Sequence, residues 1–304
     1  MKKFIITGII VLVIGLSVFT CGFAMSGWNI YEMETQSQFE EKTYTSNSNI
    51  TEIQIEDKNT PVVLRKSSDD EVHITYYEND KTKYNISENG VLIIKKIDNY
   101  QWYDYIFKIS FQINTLTVEV PESFKGDITA NTSNSKINVE NLEVNNLTAI
   151  TSNGSIELSF LKVNENVEAH TSNGAIDIQK MTAAGNLNLD TSNSHIICKE
   201  TNSANLTAKS SNGRIKLSDI KTENDIFVQT SNGSIETEKI ATEKSITLKT
   251  SNAGITGTVT GSMADYSIVS HTSNASNNLP ENLQGGNKQL NVETSNGRID
   301  IWFE

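Results

Sequence analysis

The sequence predicts an all-β fold: a parallel β-solenoid (β-helix) of about 20 residues per coil behind an N-terminal transmembrane helix. Three observations predict it. A Thr-Ser-Asn corner recurs nine times from residue 132 to the C-terminus, once with Ser in place of Thr. Apolar and polar residues alternate on both sides of each corner. An uncharged apolar run fills residues 4–25.

The N-terminus is an address. Lys2 and Lys3 precede the run FIITGIIVLVIGLSVFTCGFAM, whose 22 residues carry no charge. At about 1.5 Å per residue the run spans a hydrocarbon core of about 30 Å. The two lysines before it, and Glu32, Glu34, Glu40 and Glu41 after it, place the N-terminus in the cytoplasm and the rest outside. A cleaved secretory signal is the rival, since Ala24-Met25-Ser26 is a small-x-small triplet. The run exceeds a typical signal core, which favours a retained anchor. Cys21 follows Val-Phe-Thr, without the small residue expected before a lipidated cysteine, and reads as a small apolar residue of the span. The anchor takes residues 1–27.

Residues 28–125 are β-rich but lack the 20-residue beat. Strands are expected at 50–55, 61–65, 71–77, in a hairpin around Glu88-Asn89-Gly90, and at 107–120. Thr45-Ser46-Asn47 echoes the corner weakly. This segment is expected to cap the membrane-proximal end of the solenoid, because an open β-stack exposes a sticky edge. Most aromatic residues lie here, and Tyr100, Trp102, Tyr103 and Tyr105 form its most unusual polar-aromatic stretch. Such rings stack on sugars or on a partner protein, or else close the end of the solenoid.

Residues 126–304 carry the regular repeat. The corners start at Thr132, Thr151, Thr171, Thr191, Ser210, Thr230, Thr250, Thr272 and Thr294, spaced 19, 20, 20, 19, 20, 20, 22 and 22 residues apart. Four and two residues before each lie mostly apolar positions, such as Val167 and Ala169 before Thr171. Five after lie Ile137, Ile156, Ile176, Ile196, Ile215, Ile235, Ile255 and Ile299, and seven after lie residues such as Ile178 and Leu217. Each flank is a half-buried strand. A further apolar position falls ten after the Thr, as at Leu161 and Met181. Inward parity is even before the Thr and odd after it. The Ser-Asn-Gly turn is expected to absorb that change of phase with a residue at φ > 0. Thr and Asn are expected to form inward ladders, with Asn134, Asn153, Asn173, Asn193, Asn212, Asn232, Asn252, Asn274 and Asn296 hydrogen-bonding along the axis. Asn296 would then lie in the terminal coil, with Ile301, Trp302 and Phe303 folding over it.

The chemistry the sequence lacks is as informative. Lys plus Arg number 25 against 37 Asp plus Glu, a formal net charge of −12. So acidic a chain is a poor partner for nucleic acid. Two distant cysteines build neither a disulfide framework nor a Cys-based zinc site. No nucleophile elbow, His-Glu-x-x-His, P-loop or dinucleotide fingerprint occurs. His170 and His271 share one outward column but lie five coils apart, too far to share a metal. Glu157 and Asp177 fall on adjacent coils, in a column broken by Asn138, Ile197 and Lys216. No cofactor is implied.

The apolar anchor, the Gly27-Trp28 junction, the stretch VHITYYE at 72–78 and the repeated TSNG-x-I corners resemble the bacterial "putative adhesin" family of β-strand-repeat proteins, a domain of unknown function. The resemblance implies a membrane-anchored cell-envelope protein of the kind found in Gram-positive bacteria. It carries over no catalytic residues. The expected function is therefore a non-catalytic, extracytoplasmic scaffold or binding module whose partner is a cell-envelope protein or a glycan. A polysaccharide-acting β-helix enzyme is the alternative. It needs clustered Asp with Arg or Lys on one outer face, and Arg occurs only at 65, 214 and 298. An ice-binding solenoid needs outward Thr arrays, and here the Thr falls on the inward parity.

Overall fold

The computed structural model describes residues 2–25, 27–28, 39–46, 49–99 and 114–304. The expected aromatic stretch at Tyr100, Trp102, Tyr103 and Tyr105 lies outside the described residues, as does the first part of the strand expected at 107–120. The chain divides into two units.

The first unit contains the helix Lys2–Met25. Its span Phe4–Met25 is long and apolar enough to cross a membrane. The hydroxyls inside it turn back on the helix: Ser17 Oγ donates to the Val13 carbonyl at 2.8 Å and Thr20 Oγ1 to that of Leu16 at 2.9 Å. No polar hydrogen on either side chain is left to face an apolar medium unpaired.

The second unit is a β-solenoid of about eight turns. Strands from successive coils pair in parallel and in register. The +5 isoleucines stack as Ile137, Ile156, Ile176, Ile196, Ile215, Ile235, Ile255 and Ile299. All of them are at most 1% exposed. Each stacked side chain contributes about 1.5–3 kcal/mol by burial. A second face precedes the corner, with Leu147, Val167, Leu187 and Leu206 in register. A third, shorter face follows, with Leu161, Met181, Thr201 and Ile220 stacked.

The corners between these faces differ in chemistry. Left-handed residues form one column at Asn141, Phe160, Lys180, Glu200, Asp219 and Lys239, with φ between 49° and 56°. This column, nine residues after the Thr, holds the positive φ angles expected at the Ser-Asn-Gly turn. The Thr corner turns with none. A third corner is another amide ladder: Asn146 Oδ1 accepts the Asn166 N–H at 3.1 Å, and Asn166 Oδ1 accepts that of Asn186 at 2.9 Å.

Coil order departs from chain order at both ends. Strand Lys288–Thr294 pairs with Ser245–Lys249 on one side and Tyr266–Thr272 on the other. The last coil in the chain is therefore the second last in the stack, and the coil of Thr272 is outermost. Ile299–Phe303 does not fold over the end. It pairs with Ile255–Val259 and leaves Trp302 63% exposed. The end is closed instead by residues 277–283. Asn282–Leu283 pairs antiparallel with Tyr266–Thr272. The Asn278 amide donates to the Ile301 carbonyl at 2.8 Å and accepts its N–H at 3.0 Å, standing in for a missing strand. Both edges are thereby blunted against pairing with another chain.

At the other end, Glu52–Glu56 lies between Asp127–Asn131 and Val91–Asp98, and Val62–Lys66 between Ile137–Glu140 and Leu116–Val120. Here the corner reads Asp57-Lys58-Asn59-Thr60. Asp57 takes the Thr position, and its Oδ1 accepts the N–H groups of Lys58, Asn59 and Thr60 at 2.6, 2.9 and 2.8 Å. Its other oxygen accepts the Tyr84 hydroxyl at 2.7 Å, and Lys96 Nζ stands 3.8 Å away. This buried carboxylate is fully partnered.

Candidate functional site

The nine corners are the most repeated chemistry in the chain, so their bonding decides what they are free to do. The Thr hydroxyls are turned inward as the alternation requires, with Thr171 0% exposed. Each one is a clip. Thr171 Oγ1 accepts the Gly174 N–H at 3.1 Å and donates to the Gly154 carbonyl of the neighbouring coil at 3.0 Å. Thr230 and Thr294 repeat both bonds. Ser210 repeats them too, with Gly213 N and Ser194 O, which explains why Ser substitutes there.

The Asn side chains form a ladder, but on the surface. Asn134, Asn153, Asn173, Asn193, Asn212, Asn232, Asn252, Asn274 and Asn296 are all exposed rather than inward. Each Nδ2 donates to the Oδ1 of the next coil: Asn153 to Asn134 at 2.7 Å, Asn173 to Asn153 at 2.6 Å, Asn193 to Asn173 at 2.7 Å. The ladder runs from Asn59 through Asn252 to Asn296 and then Asn274. Asn296 is thus an interior rung, and Asn274 is the end rung. The two-residue step from Thr to Asn keeps backbone parity but crosses the turn, and that swings the amide outward. Each interior rung spends one of its two amide N–H groups and one of its two oxygen lone pairs on its neighbours.

These bonds set an order of stabilities. Thr171→Val keeps the side-chain shape but strands the buried Gly154 carbonyl, at about 1–3 kcal/mol, and also frees the half-buried Gly174 N–H. Asn173→Ala removes an exposed rung and should cost about 0.5–1.5 kcal/mol. Asn274→Ala, with one neighbour, should cost less than Asn173→Ala or Asn296→Ala. Thermal melts of the four variants check the order. Equal losses for Thr171→Val and Asn274→Ala would contradict it.

The remaining candidates are spread out. His170 Nδ1 lies 3.1 Å from Asp190 and His195 Nε2 3.6 Å from Asp177, each as a single surface pair. The intercalated coil places His271 six coils from His170, one more than the spacing of corners predicts. Glu157 and Asp177 are in register on adjacent coils. Lys136 Nζ lies 2.6 Å from Glu157. Burial raises the Asp177 carboxyl above its ordinary value, and His195 opposes the shift. Cys198 is fully buried and its thiol is pushed up to about 12, the state of an unreactive core residue.

Among the described residues, Asp69, Glu71 and His73 bring ligand atoms within 4.8 Å of one another. His73 Nε2 lies 2.9 Å from both Asp69 oxygens, and its Nδ1 lies 3.1 Å from Thr45 Oγ1. The His73 contact holds the Asp69 carboxyl below its ordinary value. Hydroxyl, imidazole and carboxylate thus stand in a row, but Thr45 and Asp69 are exposed to water. The row joins two paired strands to the turn beside them. Spacing in the sequence does not show it, because Thr45 reaches His73 only through pairing of strands Glu40–Ser46 and Val72–Glu78.

Three solved structures resemble the chain. A "putative adhesin" from Bacteroides fragilis is 12% identical, with 86% of this chain and 97% of that one covered and a TM-score of 0.45. A "putative lipid binding protein" from Parabacteroides distasonis is 14% identical, with 88% and 98% covered and a TM-score of 0.35. A "putative cell adhesion protein" from Clostridium sporogenes is 10% identical, with 88% and 100% covered and a TM-score of 0.28. Likeness at these scores carries no functional information about this chain. No curated protein matches it. The Toastrack DUF4097 family matches residues 50–302, most of the solenoid unit, and the chain belongs to that family.

Proposed function

We propose that the protein is a non-catalytic binding or scaffold module, held at the outer face of a bacterial cell membrane by residues 4–25, with an envelope protein or glycan as partner. One observation carries the reading: an apolar helix of spanning length precedes a solenoid whose repeated polar groups are already bonded to one another. Such a domain is a support, and the residues free to contact a partner are those facing outward. The segments 1–27, 28–125 and 126–304 then serve as anchor, cap with irregular coils, and regular stack.

Protease added to intact cells tests the topology. Residues beyond about 30 should be shaved away, leaving a short membrane-bound stub. A mature chain beginning near Gly27 and recovered wholly from the medium would replace the anchor with a cleaved signal.

A further inference from the structure

The left-handed corner column carries Asn, Lys, Glu and Asp at every coil but one. Asn, Asp and other polar residues tolerate that conformation better than bulky ones, and an aromatic residue there is a genuine outlier. Phe160 stands at φ 56° and is 50% exposed. The chain therefore holds an aromatic ring in water at a strained position where its own repeat offers polar residues. Strain kept at a half-exposed ring marks a place to look for function.

The ring forms a wall of a cleft of about 400 Å³. That volume lies within the usual range for small-ligand sites. The floor is apolar: Val120, Leu142 and Leu161 are 1%, 6% and 3% exposed. The rim is polar, with Asn141, Glu122 and Glu143 beside Lys66 and Lys162. Lys180 Nζ lies over the ring at 5.2 Å from its centroid.

The rim charges are mutually engaged. Lys66 lies 2.6 Å from Glu122, and Glu143 lies between Lys125 at 3.0 Å and Lys162 at 3.1 Å. These ammonium groups hold the Glu122 and Glu143 carboxyls below their ordinary values, so both are ionised acceptors at neutral pH. A phosphate or polyanion would have to compete with carboxylates for every lysine. A wholly apolar chain would desolvate the charged rim without replacing its hydrogen bonds. A pyranose meets both parts of the cleft. Its C–H face stacks on an aromatic ring, and its hydroxyls donate to carboxylates and accept from lysine and amide N–H groups.

We propose that the cleft walled by Phe160 binds a neutral pyranose of a glycan chain. The inference rests on the reading of the chain as a binding module, and the shaving experiment tests that module's location independently of any sugar.

The test uses the full chain in a polyoxyethylene detergent, since maltoside detergents present a sugar of their own. The probes are cellotetraose, maltotetraose and chitotetraose, titrated by calorimetry and by saturation-transfer NMR. At least one should bind wild type, with saturation transferred to its ring C–H protons. Phe160→Asn installs the residue the column carries at Asn141. It should keep or raise the melting temperature while weakening binding at least tenfold. Phe160→Lys, matching Lys180 and Lys239, should also lose binding. Phe160→Tyr should retain it, and Lys239→Asn, four coils away in the same column, should leave it unchanged. No binding of any of the three sugars to wild type would overturn the proposal. So would wild-type affinity in folded Phe160→Asn and Phe160→Lys, or binding only of an anionic polymer such as poly(glycerol phosphate).

Discussion

Ile176→Asp should leave the solenoid unfolded, whereas Asp177→Lys, one residue on, should hardly change its stability. Ile176 is 0% exposed and lies in register between Ile156 and Ile196. Parallel strands are about 4.8 Å apart, so a carboxylate there would meet methyl groups on both sides and no donor. The substitution removes about 1.5–3 kcal/mol of burial and adds the cost of an unpaired polar group. Together these approach the whole stability of a typical domain, about 5–15 kcal/mol. The Asp177 side chain is 41% exposed and lies 3.6 Å from the half-buried His195. Its removal should register within about 0.5 kcal/mol. Circular dichroism of both variants during a thermal ramp reads the contrast. Equal unfolding by both would mean that the inward parity is misassigned.

That parity was legible because a strand has a period of two and the repeat shows it nine times. Isoleucine at +5, apolar residues at −4 and the buried Thr all lie where alternation puts them. The Asn position was misread for a local reason. Alternation holds only while the backbone is extended, and the corner breaks it between Thr171 and Asn173. A rule of parity cannot be carried across a turn. The left-handed column was hidden differently. Phe160, Lys180 and Glu200 share no residue type, because that column asks only for tolerance of φ > 0 and exposure. Nothing beside Phe160 in the sequence marks its conformation, and only the structure shows it as the odd member of a polar column. The cleft it walls also needs Val120 and Glu122, brought in by pairing of Leu116–Val120 with Val62–Lys66, which no spacing reveals.

The coil order, by contrast, left a trace in the sequence. In the coil of Thr272 the +5 position is Asn277, not isoleucine, and the −2 position is Ser270. In the coil of Thr294 both positions are apolar, as Ile299 and Val292. An interior coil needs apolar side chains facing both neighbours, whereas an end coil has one face to close. Ser270 Oγ donates to the Pro280 carbonyl at 2.8 Å and accepts from Asn277 at 2.8 Å, so both polar residues serve the cap. Corners count coils, but only the core columns say which coil is at the edge.

Removing residues 288–304 should therefore do more than shorten the stack by one coil. In a solenoid wound in chain order that deletion trims the end and leaves Tyr266–Thr272 paired as before. Here it withdraws the strand between Ser245–Lys249 and Tyr266–Thr272, along with the strand that covers Ile255–Val259. Leu290, Val292, Ile299 and Ile301, each at most 1% exposed, go with it. At about 1.5–3 kcal/mol apiece their loss is comparable with the stability of a whole domain. The outer strand cannot simply step inward by about 4.8 Å. It would bring Ser270 against Leu248 and Asn277 against Ile255, with polar groups cut to fit a cap. We expect residues 266–287 to lose protection from hydrogen exchange although they remain in the chain. Residues 147–242 should keep theirs, because each coil is supported chiefly by its neighbours. A synthetic peptide of residues 288–304 should restore protection at 266–272 by strand addition. Native protection of 266–272 in the shortened protein, without the peptide, would show that the last coil is not an interior one.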